Sequence, residues 1–257
     1  GTGVRATEIT RQYNLLFAQQ VNDKSSDYEY WSSQSTVLQQ VETIFNESDE
    51  TGLNNLLSEF WSAWSDLADN PEGAAERESL LAQSDNLIQT VQDMAANLRS
   101  YQATLNTNIQ NRVDEVNSIL SQIADLNTQI TNSEVDGQIN ANTMRDSRDQ
   151  LVNELSQYMD ISYYEESQTG QYMVYVNGGT PLVLGGTSYN LSSERNTTTG
   201  NTDVIWNGQS GQTVNLTDKL EGGDIAGWIN VRDTRIGDYL DSLNTLAGEI
   251  IWQVNAL

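Results

Sequence analysis

Apolar side chains recur at alternating spacings of four and three residues through the middle of the chain. This heptad pattern puts one apolar stripe along a helix and is typical of helices that pack lengthwise against other helices. A second consecutive step of four, from Leu105 to Ile109, predicts a stutter that unwinds the stripe locally without ending the helix. The pattern predicts one helix over residues 72–131, about 90 Å long at about 1.5 Å per residue. The stripe consists of Leu87, Val91, Met94, Leu98, Tyr101, Leu105, Ile109, Val113, Val116, Leu120, Ile123, Asn127 and Ile130.

Asn70 and Pro71 mark the start of this long helix, because Asn can cap a helix and Pro suits its first turn. Other apolar faces predict four shorter helices, over residues 7–45, 53–67, 144–158 and 229–254. The first of these has an apolar face made of Phe17, Val21, Tyr28, Trp31, Leu38 and Phe45, interrupted by Lys24, Ser35 and Glu42. Since one helix cannot bury such stripes alone, we expect a bundle.

The pattern changes over residues 158–223, which hold ten of the eighteen glycines and short runs of alternating Tyr, Val and Ile. Gly-containing turn signals separate these runs, as expected for hairpins. The predicted strands cover residues 161–166, 172–176, 181–184, 203–206 and 213–216. The predicted fold is therefore mainly α with a β insertion, an elongated bundle of long helices carrying a small antiparallel β domain. We predict a discontinuous helical rod domain, residues 1–157 and 221–257, and a β-rich domain, residues 158–220.

Composition excludes several classes of protein. The 257 residues include no Cys and no His, which excludes Cys-His proteases, Ser-His-Asp hydrolases, thiol redox enzymes and Cys/His zinc sites. With 12 Lys and Arg against 36 Asp and Glu, the net charge is −24, and the basic residues are scattered. Such a chain repels phosphate backbones, so we expect no nucleic acid partner. No apolar run approaches the roughly 18 residues that a membrane span needs, so we expect no membrane insertion.

Candidate chemistry is weak throughout the chain. Adjacent carboxylates such as Asp114 and Glu115 point to different sides of a helix, so solvated surface is the better interpretation than acid/base catalysis. Residues 46–52 resemble a calcium loop, but the glycine comes one position late for an EF-hand, which favours a turn. Phe60, Trp61 and Trp64 share an apolar face and are interpreted as core rather than a ligand platform. We predict no catalytic, cofactor-binding or metal-binding residues, no cofactor and no enzyme activity.

Four segments are similar to the family of bacterial flagellar hook-associated protein 1, in the order found in that family. Residues Gly3–Tyr13, GVRATEITRQY, resemble the motif with which the family leaves its terminal coiled-coil region. The most specific segments are Phe60–Arg77, FWSAWSDLADNPEGAAER, and Arg145–Leu155, RDSRDQLVNEL. The return helix is matched by GDIAGWINVRD from Gly223 and by LNTLAGEI from Leu243. The resemblance covers the helical part almost end to end, while residues 158–223 match only in position.

This resemblance implies a structural protein of the flagellum that joins the hook to the filament as an adaptor between two unlike subunit lattices. The implied partners are copies of itself, the hook protein, the second junction protein and an export chaperone that binds terminal regions absent here. The implied location is extracellular, in the flagellum, after export by the flagellar type III apparatus without a cleaved signal peptide. The N-terminal residues show no signal-like apolar core and Leu257 ends an apolar-periodic run, so we expect a fragment cut at both ends.

Rival interpretations remain open at this point. Flagellin and the second junction protein also combine a helical rod with terminal coiled coils. A secreted coiled-coil adhesin fits the composition but not the four matched segments. An acidic carbohydrate-active enzyme is the weakest rival, because it requires two facing carboxylates in a cleft.

Overall fold

The computed structural model describes residues 13–45, 52–134, 141–176 and 178–256, and most of these residues are helical. The central helix α3 is continuous over 61 residues, about 92 Å at about 1.5 Å per residue. A π-helical turn, Val231–Arg235, joins α5 directly to α6. The helices are α1 (Leu15–Glu42), α2 (Leu53–Asp69), α3 (Ala74–Glu134), α4 (Asn142–Tyr158), α5 (Gly223–Asn230) and α6 (Ile236–Ala256).

The strands form two antiparallel sheets, one of four strands in the order β1-β2-β3-β4 and one of three in the order β5-β6-β7. Ile161 of β1 lies opposite Val176 of β2, and Leu191 of β5 lies opposite Trp206 of β6. The strands are β1 (Ile161–Glu165), β2 (Tyr172–Val176), β3 (Thr180–Leu184), β4 (Thr187–Ser188), β5 (Leu191–Arg195), β6 (Thr202–Asn207) and β7 (Thr213–Asn215). The predicted fold class, mainly α with an antiparallel β insertion, is confirmed.

The chain divides into two compact units. Unit 1 contains the described residues up to Gln34 together with Asn106–Ile229. Unit 2 contains Ser35–Leu105 and Asn230–Leu257, as far as they are described. On α3 the division falls between Leu105 and Asn106, where the heptad pattern predicts the stutter. The boundaries of these two units differ from those of the predicted rod and β-rich domains. The predicted domains are folding domains, and the division into compact units does not test them. They therefore stay a prediction.

The core of unit 1 is shared between helices and strands. The stripe of α3 from Ile109 to Ile123 packs against α4, α5 and the inner faces of both sheets. Val113, Leu120 and Ile123 are buried in this cluster, as the heptad pattern predicts. Because the strands supply one wall of the core, the β insertion is an integral part of unit 1.

Unit 2 has a smaller core. Leu56 and Phe60 of α2 pack against Leu87 of α3, and half-buried side chains from α3 and α6 surround them. Phe60 is buried and Trp64 is half-buried, in agreement with the core interpretation, whereas Trp61 is 38% exposed.

The prediction for the first helix is wrong in two respects. Residues 7–12 lie outside the described residues, but Tyr13 and Asn14 precede the helix, which begins at Leu15. Asn14 caps it, because its side-chain Oδ1 accepts a hydrogen bond from the Phe17 backbone N–H at 3.2 Å. The apolar face does not face the core either: Phe17, Val21, Tyr28 and Trp31 are all exposed.

Two further differences concern chain segments rich in polar residues. The long helix begins at Ala74 rather than at Pro71, because Asn70–Gly73 form a turn closed by the Gly73 N–H bonding to the Asn70 carbonyl at 3.0 Å. Strands β4 and β5 carry almost no apolar alternation, which is why the pattern missed them. The calcium-like loop lies almost entirely outside the described residues.

Candidate functional site

A buried polar anchor joins the first sheet to α3. Asn127 occupies a position in the apolar stripe and is fully buried. Its Nδ2 donates to the backbone carbonyls of Tyr172 at 2.9 Å and Gly185 at 2.7 Å. Its Oδ1 accepts from the Tyr172 N–H at 2.9 Å and from Arg148 Nη1, also at 2.9 Å. One side chain therefore fixes the position of β2 and the end of β3 on the helix.

Arg148 of α4 extends this anchor. Its guanidinium is 0% exposed, donates to the Gly170 carbonyl at 2.7 Å and lies 3.5 Å from the centre of the Tyr172 ring. Burial lowers the pKa of Arg148, while Tyr172 and Glu165 act in the opposite direction. Cation–π contact and the two oxygen acceptors compensate part of the desolvation of the charge.

Arg145, one turn earlier on α4, closes the connection from α3. It donates to both carboxylate oxygens of Glu134, at 2.7 and 3.1 Å, and also pairs with Glu165 of β1. Glu134 accepts a further bond from the Ala141 N–H at 2.9 Å. The hydrogen bond from Arg145 lowers the pKa of Glu134 below its usual value. The segment Arg145–Leu155 thus serves packing, because its charged residues hold α3, α4 and β1 together.

A second buried ion pair lies at the start of α5. Arg112 Nη2 of α3 is 2.8 Å from Asp224 Oδ2, and the guanidinium lies over the rings of Tyr158 and Trp228 at 3.9 and 5.3 Å. Burial raises the pKa of Asp224 to about 7, although Arg112 acts to lower it. Asp224 is not one of the adjacent carboxylates, and it differs from a solvated surface carboxylate in being buried.

Helix α1 contacts the rest of unit 1 through small and polar side chains. Asn22, Ser26 and Ser33 are buried on this face. A side chain at Gly222 would collide with Ser26 Oγ, and one at Gly227 would collide with Ser33 Oγ and lie 2.7 Å from the Tyr30 carbonyl oxygen. This close backbone approach explains why the polar face, rather than the apolar one, is buried.

The opposite face of α1 forms what we call the α1 ridge: Phe17, Val21, Lys24, Tyr28 and Trp31. Phe17 and Trp31 are 64% exposed and Tyr28 is 67% exposed. Lys24 Nζ binds Asp27 Oδ2 at 2.7 Å. The four-three spacing of the ridge is the pattern of a helix that packs against another surface.

Unit 2 carries a second exposed apolar surface, which we call the unit 2 groove. It is a depression of about 330 Å³ between α2, α3 and α6, and its lining contains no charged residue. Leu81, Ile251 and Trp252 are also exposed on these helices, each by more than three fifths of its surface. The groove is lined by Phe60, Ser84, Leu87, Ile88, Ile250, Ile251, Val254 and Asn255.

The structure offers little for chemistry. Within the described ranges, no group of three or more Asp and Glu side chains is placed to hold a metal ion. None of the described helices has an apolar stretch long enough to cross a lipid bilayer. The absence of catalytic, cofactor and metal residues stays a prediction.

The sequence did not predict the buried polar contacts of Asn127, Arg148 and Asp224. Each of these residues places a polar group in a packed surface, and that interruption of the apolar pattern was the only sign of them in the sequence.

Long helices, two small antiparallel sheets and polar residues devoted to packing define a helical structural domain with a β insertion. A sequence model of the flagellar hook-associated protein FlgK helical domain matches residues 38–257. The chain therefore belongs to this family, which confirms the resemblance drawn from the four segments.

Individual relatives agree with this assignment. A Bacillus subtilis (strain 168) protein, flagellar hook-associated protein 1, is 27% identical over 184 residues, which cover 72% of this chain and 36% of that protein. The Escherichia coli (strain K12) protein of the same name is 24% identical over 250 residues, covering 96% and 45%. The structure of the flagellar hook junction protein FlgK from Burkholderia pseudomallei matches with a TM-score of 0.73 and 25% identity, covering 83% of this chain and 39% of that one. The chain thus spans less than half the length of each of these relatives.

Proposed function

We propose that this chain is the helical part of a structural protein of the bacterial flagellum, located where the hook meets the filament. The observation that carries the proposal is the match to the FlgK helical domain over residues 38–257, which includes both of the most specific segments. The names of the relatives support a hook-associated role. The role is that of a non-catalytic adaptor between two unlike subunit lattices.

The contacts within the two most specific segments support a mechanical role. Arg77 donates to the Pro71 carbonyl at 2.5 and 3.2 Å, which secures the turn between α2 and α3. Arg145 pairs with Glu134 across the connection between α3 and α4. Helix ends that are held in this way resist fraying, so that load applied along α3 passes into its neighbours.

The proposed partners are copies of the same protein, the hook protein on one side and the second junction protein on the other. An export chaperone binds terminal regions that lie outside the 257 residues. The proposed location is the extracellular flagellum, reached through the flagellar type III apparatus without cleavage of a signal peptide.

Immunogold electron microscopy of isolated flagella, with antibody raised against this chain, tests the proposal. We expect label in one narrow zone between hook and filament, and none in flagella from a strain lacking the gene. Label along the whole filament would identify a flagellin-like subunit instead. Label on the cell body with bare flagella would favour the adhesin, and either result would overturn the proposal.

A further inference from the structure

We propose that the part of α1 that belongs to unit 1, residues 15–34, is a detachable arm. The arm leaves unit 1 and returns to it as one cooperative segment, while the core formed by α3, α4, α5 and the two sheets stays folded. Segments of a protein open separately where they bury few apolar contacts, and the elements that move in conformational changes come from this group. The inference goes beyond the proposed function and does not depend on it.

The arm contributes little to the apolar core of unit 1. Leu15 and Tyr30 pack against this core but are only half-buried. The other large apolar side chains of the arm are exposed. The apolar residues that α1 does bury, Val37 and Val41, lie beyond the arm in unit 2. Burial of apolar surface therefore supplies little of the free energy that holds the arm to unit 1.

Polar side chains form most of the contact between the arm and unit 1. Gln19 donates to the Tyr163 carbonyl at 2.6 Å, and Asn22 donates to the Tyr163 hydroxyl at 3.2 Å and accepts from Asn153 at 2.8 Å. The hydroxyl of Ser26 lies at the same contact, against the backbone that precedes α5. It is buried and has no hydrogen-bond partner among the residues that the structure describes. Because water would satisfy this hydroxyl after the arm opens, its burial favours the open state.

Like charges lie on both sides of this contact. Asp23 and Asp27 of the arm line a depression of about 440 Å³ together with Asp160 and Glu221, which belong to the rest of unit 1. Asp27 is paired with Lys24, but both residues belong to the arm, so this pair does not attach the arm to unit 1. Repulsion between the carboxylates across the depression weakens the attachment, most strongly at low salt.

Hydrogen exchange followed by mass spectrometry measures the opening in the unmodified chain. We expect the backbone amides of residues 19–34 to be protected at least about 100-fold less than those of residues 109–123, after correction for intrinsic exchange rates. Raising the salt concentration from about 0.01 M to about 0.15 M should increase the protection of the arm more than that of residues 109–123, because salt screens the carboxylates across the depression. Equal protection of the two segments would overturn the proposal.

Thiol labelling provides a second measurement, because the chain contains no cysteine of its own. Ser26→Cys places a thiol under the arm, and Val204→Cys places one on β6, where Val204 is fully buried in the core of unit 1. We expect an alkylating reagent to modify the first thiol at least about 100-fold faster than the second, with both variants folded by circular dichroism. Equal rates would show that the arm opens only when the whole unit unfolds, and the proposal would then be wrong.

A disulfide lock distinguishes detachment of the arm from fraying of the helix in place. The Cβ atom of Ser26 lies 3.5 Å from the position that a Cβ atom at Gly222 would occupy, which is within the range for a disulfide. In the oxidised Ser26→Cys/Gly222→Cys variant, we expect the protection of the arm amides to rise at least about tenfold, and reduction should restore fast exchange. Arm amides that exchange equally fast with and without the disulfide would also overturn the proposal. None of these outcomes bears on the immunogold result, so either proposal can fail while the other stands.

Discussion

Asn127 shows at the scale of one residue how a polar side chain can stabilise an apolar seam. The heptad pattern favours an apolar residue at this position, yet the amide forms four hydrogen bonds, with β2, with Gly185 directly after β3 and with α4. The specificity of the sheet's position on α3 comes from these bonds, since apolar packing alone is not directional.

Asn127→Leu should therefore destabilise the protein although it completes the apolar stripe. The substitution removes the hydrogen bonds that Asn127 makes with the Tyr172 N–H, with two carbonyl groups and with Arg148, which keeps its bond to the Gly170 carbonyl. Each buried group left unsatisfied costs about 1–3 kcal/mol. We expect a loss of at least about 3 kcal/mol in the free energy of unfolding, measured by urea denaturation. Gln129→Leu, an exposed neighbour, should change it by less than about 0.5 kcal/mol. Equal effects of the two substitutions would show that the four bonds contribute little.

Asp224 makes stability depend on pH. Its pKa is raised to about 7 by burial, so between about pH 4 and pH 7 the folded protein binds more protons here than the unfolded chain does. The stabilising contribution of this group is therefore present at low pH and lost as the pH rises through 7. Other carboxylates, such as Glu134, act in the opposite direction, so the effect is visible only as a difference between variants.

The difference in unfolding free energy, wild type minus Asp224→Asn, should fall as the pH is raised from 4 towards 7 and level off above 7. Urea denaturation across that range measures it. Asp224→Ala should give the same pH dependence with a different offset, because it also lacks the carboxyl. Parallel curves for wild type and Asp224→Asn would contradict the raised pKa.

At the scale of elements, the sequence predicts what apolar periodicity controls. It locates α3, α4 and the strands β1, β2 and β3 to within a few residues, because their buried positions follow the helical or strand period. It misses β5, where Leu191 is the only apolar residue, because hydrogen bonding to β6 determines the strand. It also misses the buried ion pairs, since spacing along the chain does not reveal which charges meet.

The prediction for helix α1 is wrong for a different reason. Its most apolar face is exposed, because the helix approaches α5 too closely for large side chains to fit between them. Only small residues such as Ser33 and Gly227 allow this approach. In the sequence, this packing is indicated only by small residues on α1 and glycines near α5. That pattern is harder to recognise than an apolar stripe.

Gly227→Ala tests this close packing. Alanine normally stabilises a helix by about 0.5–1 kcal/mol relative to glycine. Here the added methyl group meets Ser33 and lies 2.7 Å from the Tyr30 carbonyl oxygen on α1, which cannot move without shifting the helix. We expect a net loss of about 1–3 kcal/mol in the free energy of unfolding.

Gly248→Ala is the matched control for this substitution. Gly248 is also helical, in α6, but a methyl group there meets nothing within 4 Å. We expect a gain of about 0.5–1 kcal/mol, measured in the same way. If both substitutions stabilise the protein, α1 does not approach α5 as closely as described.

At the scale of the whole molecule, charge sets the conditions under which copies can associate. A net charge of −24 on 257 residues opposes any contact between copies at low ionic strength. The repulsion acts over the Debye length, which is about 30 Å at 0.01 M salt and about 8 Å at 0.15 M. Contacts between apolar surfaces are not weakened when salt screens the charges.

Self-association should therefore strengthen as salt rises. At fixed protein concentration, we expect the weight-average mass in sedimentation to increase between 0.01 M and 0.15 M salt, where screening changes most, by about 20 Å in Debye length. A variant in which the exposed Asp85 and Asp93 are replaced by Asn should associate more at low salt and respond less to added salt, because it carries less charge to screen. Association that weakens steadily with salt would mean that ion pairs hold the copies together. The acidic surface would then form part of the interface between copies.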